Sequence, residues 1–308
     1  MQTERVIGGS GFFGINIANS FLEENYKVKT SSNYRNNKSK YDHLRINAKE
    51  GNPEYCAFDV RDRAMLKLFT KGCQILVHAG TPFTLDIKDL QNEFFEQTIK
   101  DTRNGMGVIS DSELLQKVIL ITSISVWNTS FHLIPSAYIA NYVFTRLDKP
   151  YINEQDHSYA QSKFLAEQEV IGFINDCAVL RFEIVTISST RVAGNSLSER
   201  TDSISAGLQH LLKNIIIENP FVEMLFKTDN KFSMIDVREV VKAVFQASTI
   251  YRIHGTSYLI TSEGYRVSHI SMMRDGKPDL HKWVIACNSS LTKHDLGIAF
   301  IAASNTLN

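Results

Sequence analysis

Two patterns in the chain bring together side chains able to move a proton and a hydride. Tyr159 and Lys163 form YxxxK within SYAQSKFLAEQEV, a spacing that puts both on one face of a helix. An ammonium beside a phenol favours the phenolate and lowers its pKa. Such a tyrosine can exchange a proton with a substrate oxygen while a hydride moves at carbon. Tyr34 and Lys38 supply a second YxxxK, so the motif gains meaning only from context. Tyr159 opens a helical segment and is preceded by VILIT, a buried-strand pattern that ends in hydroxyls. Open α/β sheets place their sites at the carboxyl ends of strands, where Thr122, Ser123 and Ser125 all stand. Ser123 is the preferred group to orient a substrate carbonyl, with Ser125 as its alternative. Asn104 either holds a water for proton relay or is a helix-surface residue.

The second pattern is GGSGFFG, with glycines at intervals of three: Gly8, Gly11 and Gly14. It follows a short apolar segment and opens a helix, the setting in which such a turn binds phosphate. Without Cβ atoms the backbone can approach a pyrophosphate, and the helix N-terminus presents free N–H groups to it. An NAD site usually has a carboxylate about 20 residues further on, for the ribose hydroxyls. Here that stretch reads Ser31-Ser32-Asn33-Tyr34-Arg35, then Lys38 and Lys40. Arg35, with Lys38 nearby, either holds a 2′-phosphate or belongs to a solvated basic loop; on the first reading, which is preferred, the expected cofactor is NADP(H). Asp59, in FDVRD, either accepts from an adenine amino group or is an exposed loop charge.

The elements that must carry these groups alternate. Arg5 to Ile7 reads as a short strand, residues 13–25 as a helix, and Tyr26 to Ser32 as a second strand. Cys56 to Val60, Ile75 to Ala79, Val118 to Thr122 and Val179 to Ile187 read as further strands. Lys88 to Ile109 and Tyr159 to Asn175 read as helices, the latter strongly amphipathic. Strand–helix alternation predicts a Rossmann-type, doubly wound parallel sheet of the α/β class. Beyond Ile187 it weakens, leaving helices at Leu208 to Glu218 and Ile235 to Thr249 and a strand at Ser257 to Thr261. The predicted organisation is a dinucleotide-binding domain over 1–188, with 232–250 packing back onto it, and a smaller mixed substrate-binding part over 189–308.

Composition narrows the function classes. In 308 residues, 33 Lys and Arg balance 33 Asp and Glu, so there is no basic excess for nucleic acid or an acidic membrane. A hydrophobic fraction of 43% and a charged fraction of 21% speak against disorder, collagen and coiled coil. Cys56, Cys73, Cys177 and Cys287 lie far apart with no CxxC pair, which argues against a zinc site or a disulfide framework. His78 reads as a packed or cofactor-adjacent residue, and no metal is expected. Trp127 and Phe131 either line a substrate pocket or pack in the core. No cationic leader followed by an apolar stretch opens the chain, and no apolar run suggests a membrane span. The expectation is a cytoplasmic protein, monomer or homodimer, with neither nucleic acid nor membrane as partner.

The residues resemble the extended branch of the short-chain dehydrogenase/reductases, which is NAD-dependent epimerase/dehydratase-like. Within it they are similar to the dihydroflavonol reductase-like family of plant flavonoid and cinnamoyl reductases and fungal carbonyl reductases. The likeness runs from about Val6 to Gly297. It is carried by the glycine turn, KGCQILVHAGTPF (Lys71 to Phe83), TLDIKDLQNEFFEQTI (Thr84 to Ile99), the YxxxK helix, FEIVTI (Phe182 to Ile187), MIDVREVVKA (Met234 to Ala243), GTSYLIT (Gly255 to Thr261) and KHDLGIAF (Lys293 to Phe300). The resemblance implies an NADPH-dependent reductase of ketones or aldehydes, with Tyr159 as acid, Lys163 beside it and Ser123 as the third member. It further implies cofactor contacts from Gly8, Gly11, Phe12, Phe13, Gly14, Arg35, Lys38, Asp59, Val60, Ala79 and Thr81, as well as from Tyr159 and Lys163. The chain departs from the family at Ser123-Ile124, where paired serines are usual, at Ser189 and Asn195, where prolines are, and at Asp101, where glycine is typical. Two alternatives use the same fold: an NAD-dependent sugar-nucleotide epimerase, dehydratase or hydroxysteroid dehydrogenase, and a non-catalytic dinucleotide-sensing protein.

Overall fold

The computed structural model describes residues 2–32, 53–79, 92–130, 142–156, 158–177, 179–195, 231–269 and 287–302, with a few single positions besides. Seven strands form one parallel sheet: β1 (Thr3–Ile7), β2 (Lys27–Ser32), β3 (Glu54–Ala57), β4 (Ile75–His78), β5 (Lys117–Ser123), β6 (Glu183–Ser189) and β9 (Thr256–Ile260). Their order is β3-β2-β1-β4-β5-β6-β9. The chain winds outward from β1 through β2 to β3, then restarts at β4 on the other side of β1. That reversal makes the β1/β4 border the switch point, where open sheets carry a crevice at their carboxyl edge. A smaller sheet, β10-β8-β7, combines β7 (Arg191–Ala193) with β8 (Lys231–Asp236) and β10 (Gly264–Arg266).

Helices cover both faces. On one, α1 (Phe12–Glu23) and α5 (Val237–Thr249) bury Phe12, Phe21, Val240 and Val244 against Val6, Val77, Ile119, Val185 and Tyr258. On the other, α2 (Arg63–Thr70), α3 (Asn92–Ser110) and α4 (Ser158–Asp176) bury Leu66, Phe69, Met106, Ile109 and Val170 against Ile7, Leu76, Val118 and Ile184. A short helix α6 (Ser290–Leu296) packs on β9 and α5. This is the doubly wound architecture the alternation predicted; the helix α5 packs on β5, β6 and α1, whereas Lys231–Asp236 before it forms β8 of the smaller sheet.

Several boundaries moved. The expected helix from Ile235 starts at Val237, because Asp236 caps it: the Asp236 carboxylate accepts from the N–H of Arg238, and Glu239 returns a bond to the N–H of Asp236. Ile235 instead pairs with Val192 in the small sheet. The expected strand from Val179 starts at Glu183, opposite the first residue of β5, and Val179 is 87% exposed. The strand at Cys56 ends at Ala57, so Asp59 and Val60 belong to the turn beyond it. The helix expected at Leu208 to Glu218 lies outside the described residues.

Helix α4 corrects the expectation of strong amphipathicity. Its inward face carries Gln161, Ser162 and Glu167, because the sheet face beneath it changes character along the strands. Leu76, Val118 and Ile184 are apolar, whereas His78, Thr186 and Ser188 follow on that face toward the carboxyl edge.

Candidate active site

The glycine turn begins where β1 ends. Gly8 has φ +80°, a left-handed conformation that glycine adopts without strain. The N–H of Gly11 donates to the Gly8 carbonyl at 3.0 Å. A Cβ on Gly14 would lie 2.2 Å from that same carbonyl oxygen and 2.6 Å from the Cα of Gly9, so only glycine lets α1 start this close to the strand. A Cβ on Gly9 would meet the Cβ of Thr30 on β2 at 2.4 Å. The sequence pattern did not single out Gly9, because its constraint comes from a different strand. The N-cap of α1 is Gly11, with no side-chain cap and no acidic residue in the first turn. The N-terminal N–H groups and the positive end of the helix dipole thus suit a bound anion, and the cradle fits a dinucleotide pyrophosphate. Phe12 is 5% exposed and packs edge-on against Phe13, centroids 5.6 Å apart. Its ring belongs to the core, which leaves the backbone as its route to a phosphate.

The same carboxyl edge carries the second pattern. Ser123 closes β5 opposite Ser189 of β6. Its hydroxyl donates to Ser125 Oγ at 3.2 Å and accepts from the N–H of Ser125 at 3.3 Å. The two candidate serines form one hydroxyl pair, on a 3-10 turn (Ile124–Val126) against which α4 packs. The segment before α4 is anchored by Asp156, which accepts from Thr129 Oγ1 at 2.6 Å and Ser130 Oγ at 2.7 Å. Gln161 reaches back to the carbonyls of Glu154 and Asp156 at 3.1 and 2.8 Å. These bonds fix where the helix begins, and so where Tyr159 stands.

Tyr159, Lys163 and Glu167 follow one another at successive turns of α4. Lys163 Nζ lies 5.8 Å from the centroid of the Tyr159 ring. The expected depression of the phenol pKa is not seen: burial pushes it up to about 12, against the pull of the Arg191 guanidinium. Desolvation outweighs that guanidinium, so the phenol keeps its proton at neutral pH. Burial also draws Lys163 down to about 8, opposed by the carboxylate of Glu167. Glu167 is lifted to about 7 by burial, against its bond from Thr186 Oγ1 (3.1 Å) and the charge of Lys163. His78, at the end of β4, is brought down to about 4 by burial and by Lys163, and stays neutral. Tyr159, Lys163, His78 and Arg191 each keep part of their surface accessible. Among the described residues no group of His, Cys, Asp and Glu is placed to hold a metal ion.

Neither Arg191 nor Glu167 was singled out as a residue, although Arg191 falls within 188–208, one of the segments expected to face the substrate. A charged residue directly after the buried FEIVTISST run was the available signal for Arg191, and the helical i+4 step from Lys163 for Glu167. Asp59 is half-exposed and grips Arg61, with Oδ2 2.5 Å from Nη2. Val60 is half-buried against the core, and the N–H of Ala79 donates to the Ile7 carbonyl at 2.9 Å, extending the β1–β4 pairing. Asn104 is half-buried on α3. Trp127 packs against the cluster of Ile124, Phe144, Leu259 and Cys287, with its buried Nε1 lacking a hydrogen-bond partner. Arg35, Lys38, Thr81 and Phe131 lie outside the described residues.

Comparison with known proteins agrees with this architecture. A cinnamoyl-CoA reductase of Medicago truncatula is 25% identical over 209 residues, 67% of this chain and 63% of that protein. A bifunctional dihydroflavonol 4-reductase/flavanone 4-reductase of Malus domestica is 25% identical over 211 residues, 68% of this chain and 60% of that protein. The chain thus matches less than two thirds of the length of these relatives. Among solved structures, Gre2 of Candida albicans in complex with NADPH superposes with a TM-score of 0.76 at 18% identity, covering 100% of this chain and 96% of that one. The yeast methylglyoxal/isovaleraldehyde reductase Gre2 complexed with NADPH gives 0.77 at 17% identity, covering 99% and 96%. The NAD dependent epimerase/dehydratase family matches residues 5–260, and the chain belongs to that family.

Proposed function

We propose that the protein is an NADP(H)-dependent oxidoreductase that reduces a ketone or aldehyde to an alcohol. The observation that carries this reading is a protonated, desolvated Tyr159 stacked with Lys163 on the sheet edge that also bears the glycine turn. The reductases among its relatives and the NADPH-bound neighbours support it. NADPH, when bound, supplies the hydride; with one proton, the carbonyl becomes the alcohol and NADP⁺ is released. The backbone of Gly8 to Gly14 would hold the pyrophosphate, and Arg35 with Lys38 the 2′-phosphate. Ser123, paired with Ser125, would orient the carbonyl by donating to its oxygen. Tyr159 would deliver the proton to that oxygen, a task that needs the phenol in its acid form. Lys163 steadies the phenolate left behind, and Glu167 opposes the loss of the lysine's charge on burial. The small sheet, which β7 enters directly after β6, would face the substrate.

The test is a panel of aldehydes, diketones and flavanonols followed by NADPH oxidation, with Tyr159→Phe as control. The variant is expected to lose about 10²- to 10⁴-fold in kcat. Indistinguishable rates for both proteins on every compound would overturn the reading. A strong preference for NADH, with turnover of a nucleotide sugar, would move the chain to the epimerase alternative.

A further inference from the structure

Glu167 is 6% exposed on the inward face of α4, one helical turn beyond Lys163 and two beyond Tyr159. A carboxyl buried this far needs a partner, and β6 supplies one: Thr186 Oγ1 donates to Glu167 Oε1 at 3.1 Å, with both groups buried. Thr186 stands opposite Leu120 of β5, three residues before Ser123, so the bond lies below the carboxyl edge. Side chains on a helix lean toward its N-terminus, which directs the Glu167 carboxyl at the turn that carries Lys163. Lys163 in turn reaches toward Tyr159, its Nζ 5.8 Å from the ring centroid. The three side chains thus form a line that climbs from β6 to the phenol.

A neutral amide would pin α4 to Thr186 as well and would cost less to bury. What a carboxylate adds is charge, one turn from an ammonium. That charge opposes burial at Lys163, as the Thr186 bond opposes it at Glu167. Around this line, His78 of β4 stays neutral and Arg191 of β7 acts on the phenol. Arg103 of α3 is taken up by Glu169 at 2.9 Å, and Lys117 of β5 by Glu183 of β6 at the amino edge.

We infer that Thr186 and Glu167 are a positioning pair for the reduction: the hydroxyl fixes the carboxylate, and the carboxylate holds the Lys163 ammonium, charged, beside Tyr159. This rests on the reductase reading and adds to it two residues that act through Lys163.

The test is the pH profile of kcat for NADPH-dependent reduction of an aldehyde that the wild type turns over, in wild type, Glu167→Gln, Thr186→Val and Thr186→Ser. Glu167→Gln can still accept the Thr186 bond and removes only the charge. Lys163, already drawn down to about 8 by burial, then gives up its proton at lower pH. The alkaline limb is expected to move toward acid by about one pH unit, which lowers the rate at pH 8 about fivefold. Thr186→Val leaves the carboxyl without its donor and should move the limb the same way by less, whereas Thr186→Ser should keep the wild-type profile. A profile unmoved in Glu167→Gln, with stability lowered or the rate lowered evenly across pH, overturns the inference. Should that variant not fold, Thr186→Val against Thr186→Ser decides in the same way. If no carbonyl is turned over, the reductase reading fails by itself, and the pair is tested by following the Cε resonance of Lys163 against pH by NMR, assigned with Lys163→Arg. A midpoint lowered in Glu167→Gln supports the hold on the ammonium, and an equal midpoint overturns it.

Discussion

Lys117 and Lys163 are both sequestered lysines, at opposite edges of the same sheet. Lys117 opens β5 at the amino edge, with a side chain 2% exposed. Its ammonium donates to Glu183 and, at 2.6 Å, to the carbonyl of Ile250. Burial pushes Glu183 up, but the bond and charge of Lys117 and the N–H of Ile253 together hold it below the usual carboxylate range. Lys163, at the carboxyl edge, is only half-buried, yet burial pulls it toward neutrality and its partner Glu167 with it. At one edge, charge is closed off by partners and serves stability. At the other, it stays partly accessible with proton affinities near the working pH, the arrangement expected where protons are exchanged.

The largest effect that would sharpen this contrast is expected from Lys117→Met. Removing one partner of a buried pair leaves the other uncompensated, typically at about 3–5 kcal/mol. Glu183 keeps some solvent and its bond from Ile253, so a loss of about 3 kcal/mol is expected in chemical denaturation. Activity per folded molecule should stay near wild type. A fall in activity without a fall in stability would show that the amino edge takes part in the chemistry after all.

Gly14→Ala should act on both quantities. The added Cβ has no room against Gly8, so α1 must shift, costing about 2 kcal/mol as overpacking generally does. The same shift moves the N–H groups expected to hold the pyrophosphate, so NADPH affinity should fall as well. Retained affinity, read by calorimetry, would mean that the anion lies elsewhere than at this helix.

How far all this was legible depends on the range of the constraint. Gly8 and Gly14 crowd each other six residues apart, so their spacing shows in the sequence, whereas Gly9 answers to Thr30 across a strand pair and does not. The main strands were legible because apolar runs such as VILIT must be buried on both faces of a parallel sheet. The strands β7, β8 and β10 run three to six residues, too short for a period to emerge. YxxxK placed Tyr159 and Lys163 on one face, but not the sign of the phenol's pKa shift, since desolvation is set by everything packed around it. Arg191 is 32 positions from Tyr159, and only the β5–β6 register brings its backbone to the same carboxyl edge.

The smallest expected effect comes from a residue that follows neither pattern. Glu4, in the amino half of β1, is fully buried, and neither carboxylate oxygen has a hydrogen-bond partner. Burial raises its pKa well above 4.5, with Arg5 opposing. The fold therefore binds a proton that the unfolded chain gives up above about pH 4.5. For an acid raised in this way, stability is fully present below the unfolded pKa and is lost as pH rises through the folded value. Glu4→Leu removes both the orphaned oxygens and the linkage. It should raise stability at pH 7–8 by about 1–2 kcal/mol, the usual cost of an unsatisfied buried polar group, and flatten the decline toward alkaline pH. Glu4→Gln should flatten the decline equally but gain less, because an amide keeps polar atoms in the same apolar surroundings. Should both variants be less stable than wild type at every pH, the carboxyl must be satisfied in solution, and Glu4 would then join Lys117 among the closed-off charges of the amino edge.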